Sequence, residues 1–172
     1  MERGYERVKT NESFWYTTVD GDVRRAKELN NSCSDEMYET ANYYSNEKVA
    51  EDNARADRLF RCMRRFAAKN NKDVLNWHDS NESKYYIAYD YLDNRIAVDY
   101  NVISNTLGTV YFSSKEVAEQ AIDKYRNELV WYFTEYHTND IVSECEHCSR
   151  EVKLQAMRTL ELKECPFCGK SL

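Results

Sequence analysis

The chain reads as an α+β protein: two related antiparallel ββ(β)α modules followed by a small zinc ribbon. Three observations predict this. The words NYYSNEKVAE at 42–51 and VYFSSKEVAE at 110–119 repeat at an offset of 68 residues, and self-similarity at a fixed separation marks a copied structural unit. At each repeated word the apolar period changes from about two to about 3.6, the change from strand to helix. Downstream of both copies stand two Cys-x-x-Cys pairs.

The first module, residues 1–72, opens with SFWYTTVDGDV. Aromatic and β-branched residues lead there to Asp20-Gly21, a hairpin signal. A short strand at Tyr43-Tyr44 precedes a helix that Ser45 or Asn46 can cap. Val49, Ala56, Leu59, Phe60, Met63 and Phe66 then fall on one helical face. The second module, residues 73–138, contains SKYYIAYDYLDNRIAVDYN, which reads as two strands around Leu92, Asp93 and Asn94. Val110-Tyr111-Phe112 forms its short strand, and Ser113 with Glu116 spaces like a capping box. Val117, Ala121, Ile122, Tyr125, Leu129 and Phe133 make the apolar stripe of its helix. One such unit of about 60 residues buries little surface by itself, and packing two copies together helps. The polar, turn-rich stretches NNKDVLNWHDSNES and TEYHTNDIVSE lie at the joins.

Residues 139–172 carry Cys145-x-x-Cys148 and Cys165-x-x-Cys168 with sixteen residues between the pairs. That spacing suits a four-thiolate zinc site, in which each tight turn aims two sulfurs at one ion. An iron–sulfur or rubredoxin-like occupant uses the same four ligands. Four thiolates close the coordination sphere, so the metal is expected to be structural, holding a segment too short to fold on its own core. What such a ribbon touches stays open between nucleic acid, a protein partner and a neighbouring module. Cys33 and Cys62 lie outside this scheme, and Cys62, near the apolar stripe of the first helix, fits a small hydrophobe.

Composition narrows the class. Proline occurs once and glycine four times in 172 residues, which excludes collagenous and linker-like readings. The first residues, MERGYERVKT, lack an apolar leader, and no apolar run nears the length of a membrane span. The expectation is a cytoplasmic protein whose thiols are reduced. The net charge of −6 argues against a general nucleic-acid coat. No glycine-rich phosphate loop, zinc-protease motif or nucleophile elbow occurs, and His78 and His137 sit beside acids only in the polar joins. No enzymatic activity is expected.

Two surfaces are candidates for binding. On the first helix Arg55, Arg58, Arg61, Arg65, Lys69 and Lys72 recur at three- and four-residue steps, and Arg64 adds to their density. Arginine forks suit phosphate or carboxylate, and the same row equally suits a solvated face balanced by Glu51, Asp52 and Asp57. The second module is acidic, and Tyr85, Tyr89, Asp90 and Asp93 decorate its hairpin. Tyrosines with carboxylates can engage a partner's arginines or form an ordinary solvent face.

At YYIAYD, GTVYFSSKEVAEQAI and ANYYSNEKVAE the chain resembles small accessory proteins of phages and prophages of Firmicutes, in which a hairpin precedes a helix start of this type, often in tandem. The opening ERVKTNESFWY also resembles theirs. The resemblance covers most of residues 1–136 and implies a phage-encoded protein acting inside a bacterium, among whose kind are regulators and anti-CRISPR inhibitors. The resulting expectation is a non-enzymatic inhibitor that binds a host defence nuclease, most plausibly an RNA-guided type II (Cas9-like) effector with its guide. The alternative is a nucleic-acid-binding phage regulator using strand aromatics, the arginine-rich helix and the ribbon. Either way the expected partners are a nuclease ribonucleoprotein or DNA or RNA phosphate, with no membrane, and a monomer or homodimer.

Overall fold

The structure, a computed structural model, describes residues 4–72 and 74–136, together with the strands Val142–Glu144 and Glu151–Lys153. Among the described residues it is α+β, with small antiparallel sheets and three α-helices. By compactness it divides into Met1–Arg61 and Cys62–Leu172.

In the first unit, β1 (Ser13–Thr17) and β2 (Val23–Lys27) form the hairpin expected at Asp20-Gly21, with Trp15 opposite Arg25. Gly21 takes a φ of +88° in the turn, a conformation that L side chains rarely adopt, and its N–H donates to the Thr18 carbonyl at 2.9 Å. On the other edge of β1, Trp15 and Tyr44 exchange backbone hydrogen bonds of 2.8 and 2.9 Å. The Asn42 side chain extends that pairing, accepting from Thr17 N and donating to Thr17 O. The order across this sheet is thus β2, β1, Tyr44.

A helix absent from the sequence expectation stands between the hairpin and Tyr44. It is α1 (Ser32–Glu39), opened by a reciprocal capping box in which Asn31 and Ser34 bond each other's backbone N–H. Next comes α2 (Glu47–Asn70), whose first turn is capped by Asn46 accepting from Val49 N at 3.2 Å. Ser45 instead donates to Glu6. The deepest face of α2 is lined by Ala50, Ala54, Ala56, Leu59, Met63 and Ala67, whereas Val49, Phe60 and Phe66 are only half-buried. Small side chains let the helix backbone come close to its neighbours.

The core of the first unit centres on Tyr43. Its ring stacks on Phe14 at 4.0 Å and receives Tyr38 edge-on at 5.4 Å. Its hydroxyl donates to the fully buried carboxylate of Glu28 at 2.9 Å. Glu28 also accepts from Arg7 Nε at 3.1 Å, from Arg7 Nη2 at 3.2 Å and from Asn30 N at 2.7 Å. A second ion pair of 2.6 Å runs from Arg7 to Asp35 on α1. One buried acid therefore ties the N-terminal segment, the exit of β2 and the central tyrosine together.

In the second unit β3 (Lys84–Asp90) lies between β4 (Arg95–Asn101) and β5 (Tyr111–Phe112), all antiparallel. Tyr85 stands between Tyr100 and Phe112 in register. The helix α3 (Lys115–Trp131) packs on all three strands through Ala118, Ala121, Ile122 and Leu129. Its cap is Ser114, one residue later than expected, because Ser113 is held elsewhere: its N–H donates to Asn71 Oδ1 at 2.9 Å. Asn71 Nδ2 in turn donates to Tyr111 O, so this side chain occupies the outer edge of β5. The backbone of α3 leaves helical geometry at Tyr125, whose hydroxyl donates to Cys62 O. A π-helical turn, Tyr132–Tyr136, follows.

Lys84 is fully buried at the start of β3. Its ammonium donates to three backbone carbonyls, of Asp79 at 2.8 Å, Glu82 at 2.7 Å and Val102 at 3.1 Å. All three of its N–H bonds are thereby used. The same group lies 5.7 Å from the centre of the Trp77 ring, which meets Tyr111 edge-on. Lys84 thus fastens the loop before β3 to the end of β4. Replacing it with Met removes the donor from three part-buried carbonyls, of which Asp79 O keeps a bond from Glu82 N at 3.4 Å, and a buried acceptor left unpaired costs about 1–3 kcal/mol. Lys84→Met should lower stability by about 2–4 kcal/mol, read as a fall in the urea midpoint at unchanged slope.

Candidate functional site

The arginine-rich stretch of α2 emerges as a row of exposed side chains. Arg55, Arg58 and Arg61 belong to the first unit and Arg64, Arg65 and Lys69 to the second, and all six are exposed. The row follows from the helix itself: with alanines, Leu59 and Met63 turned inward, positions three and four apart on the other side face water. Arg58 is partly committed, donating from Nη2 to Gly21 O at 3.2 Å. Arg65 donates from Nη2 to Cys62 Sγ at 3.8 Å. Asp52, considered as a balancing charge, is instead buried and paired with Lys48 one turn earlier.

The hairpin residues occupy a different setting. Tyr85 and Tyr89 are half-buried. Tyr89 stacks on Phe133 at 5.5 Å and meets Tyr91 edge-on at 4.9 Å, while Tyr85 packs near Tyr100. Asp90 builds the turn, its Oδ1 accepting from Leu92 N and Asp93 N. Asp93 accepts from Arg95 Nε at 3.1 Å, and Arg95 also reaches Asp90 at 4.0 Å. Tyr89, Asp90 and Asp93 thus lie toward the turn of the hairpin, whereas Tyr85 lies at its other end, opposite Tyr100 and Phe112. Tyr100 is the hairpin ring that reaches furthest into solvent, and its exposure depended on pairing that the sequence pattern did not show.

Cys145, Cys148, Cys165 and Cys168 lie outside the described residues. Among the described residues no cluster of three or more His, Cys, Asp or Glu could hold a metal ion. Cys33 is exposed and Cys62 half-buried, both as free thiols. Among the described residues, too, no helix is long and apolar enough to cross a membrane.

A cavity of about 410 Å³ in the first unit is lined by Arg7, Lys9, Glu12, Trp15 and Ser45 among others. Among the described residues the buried Nε1 of Trp15 has no hydrogen-bond acceptor. Close by, the environment of Glu28 shifts two titrations. Its carboxyl is held down to about 2, first by the Arg7 hydrogen bonds and then by those from Asn30, Ser34 and Tyr43, against the cost of burial. The Tyr43 phenol is pushed up to about 12 by burial and by the adjacent Glu28 carboxylate.

No family model matches this chain, and no curated protein and no solved structure matches it either.

The two shifts set a pH window. A depressed carboxyl contributes stability above its unfolded value, so protection should decline as pH falls from about 4.5 toward 2. A raised phenol favours folding only while protonated, so stability should decline again as pH climbs from about 10 toward 12. Thermal midpoints measured across pH should trace both limbs, and Glu28→Gln should flatten the acid limb while lowering the plateau.

Proposed function

We propose that this is a phage-encoded anti-defence protein that works by binding and not by catalysis. In this reading it grips a nucleic-acid-loaded, RNA-guided type II effector nuclease and blocks its DNA binding or cleavage. The observation that carries the reading is the row of exposed arginines on α2, a dense cationic feature on a protein whose net charge is −6. An effector of this kind displays guide and target phosphate along a channel, and guanidinium forks pair with phosphate oxygens through two parallel bonds. The resemblance of the repeated words to phage accessory proteins supplies the biological setting.

The same reading holds that a duplicated ββ(β)α module forms the body of the protein. Its support is the recurrence of one pairing order: β2, β1 and Tyr44 in one unit, and β4, β3 and β5 in the other. It also places one structural zinc ion on Cys145, Cys148, Cys165 and Cys168, on the strength of a donor set and spacing that suit tetrahedral zinc. A direct nucleic-acid-binding regulator is the second reading, favoured by the exposed Tyr100 ring, which could stack on an unpaired base.

In the leading reading, excess purified protein stops target cleavage by a guide-loaded nuclease and co-elutes with it on gel filtration. Charge reversal by Arg61→Glu, Arg64→Glu and Lys69→Glu together should weaken that complex at least about tenfold and make its affinity less sensitive to salt, by roughly one unit of log–log slope per lost phosphate contact. Full cleavage in excess protein with no complex would defeat the inhibitor reading. A mobility shift on free DNA or RNA that fades with salt would favour the regulator. Purified protein should also carry one zinc per chain by elemental mass spectrometry, and loss of the metal to a chelator should leave the β3–β4–β5 sheet folded.

A further inference from the structure

We propose that β4 is a self-association edge, pairing antiparallel with the β4 of a second copy about an axis midway between the two copies of Ala97, so that two three-stranded sheets become one of six strands. Among the described residues β4 pairs only with β3, leaving its outer edge without a strand partner over seven residues, Arg95–Asn101. An unpaired edge of that length is a template for another strand.

The side chains say which strand. If the helices of both copies are to lie on the same face, the two-fold axis must fall midway between the two copies of one residue, so only a few registers exist. Centring on Ala97 sets Arg95 opposite Asp99 of the copy, twice by symmetry, with Ile96 opposite Val98 on the face that α3 covers. The neighbouring choices fail on charge. Centring on Arg95 or on Asp99 places that residue against itself, and centring on Ile96 sets Asp93 against Asp99. Centring on Val98 leaves Arg95 opposite Asn101 and Asp99 opposite Ala97, with no ion pair. The register on Ala97 also brings the hairpin tip, with Leu92 90% exposed, toward the stretch after the copy's β4, with Ile103 69% exposed.

The other hairpin provides the contrast. Its edge strand β2 carries Arg24, Arg25 and Lys27, and centring on Arg24, Arg25 or Ala26 sets cation against cation. That edge is guarded, whereas β4 is complementary to itself. In the single chain Arg95 is tied to Asp93 and Asp90, and Asp99 accepts from Tyr86 Oη at 3.1 Å. Both remain on exposed side chains that can exchange partners.

The test is sedimentation equilibrium of the full chain over a range of concentration, with circular dichroism to verify each variant's fold. The wild type should show a monomer–dimer equilibrium. Asp99→Arg alone, or Arg95→Asp alone, turns both cross-strand attractions into repulsions and should weaken dimerisation at least about tenfold. The double exchange Arg95→Asp with Asp99→Arg restores opposite charges and should recover it. A wild type that stays monomeric throughout would overturn the proposal, as would a dimer indifferent to the single reversals. Failure of the double exchange to recover association would overturn the register.

Discussion

A carboxylate with no access to water holds the first unit in shape. Burying an ionised acid is expensive unless its lone pairs are taken up. Glu28 meets that demand with the Arg7 fork, the Tyr43 hydroxyl and the Asn30 amide. Each donor comes from a different part of the chain, so satisfying the charge fixes where those parts go. Tyr43 is placed against Phe14 by the same requirement, and the aromatic centre of the unit follows from it.

The second unit solves a similar problem with the opposite sign. Lys84 is buried and discharges its donors onto main-chain carbonyls, with the Glu82 carboxylate further off at 3.9 Å. Both arrangements answer a shortage of apolar mass. The inward face of α2 is largely alanine, and units of this size bury a modest fraction of their surface. A polar hub adds specificity where a larger core would add bulk, and it costs dearly if any one partner is lost.

Much of this architecture was legible in the residues. The hairpins fell where Asp20-Gly21 and Leu92-Asp93-Asn94 predicted them, and the helices began at the repeated words, because turn chemistry and period act locally. The cap of α3 moved from Ser113 to Ser114 because Asn71, more than forty positions away, competes for the earlier residue. The helix α1 escaped notice because SCSDEMYE has little apolar periodicity, although Asn31 with Ser34 offered a capping signal. The buried roles of Glu28 and Lys84 were invisible for a physical reason: charged residues are by default solvent-facing, and only tertiary donors and acceptors overrule that. The arginine row was legible in full, since exposure on a helix follows its period. The stacking of Tyr89 on Phe133 was not, since it depends on a distant helical segment, whereas Asp90 and Asp93 are engaged locally, by the turn itself.

Asn71 gives the β4–β3–β5 sheet a border of a particular kind. Its amide both accepts and donates at the outer rim of β5, so the side chain imitates one residue of a further strand and then stops. A ribbon open on both sides can add units without end and grow into fibres. One that is sealed along a rim can at most be matched once, which turns an aggregation hazard into a finite, closed assembly.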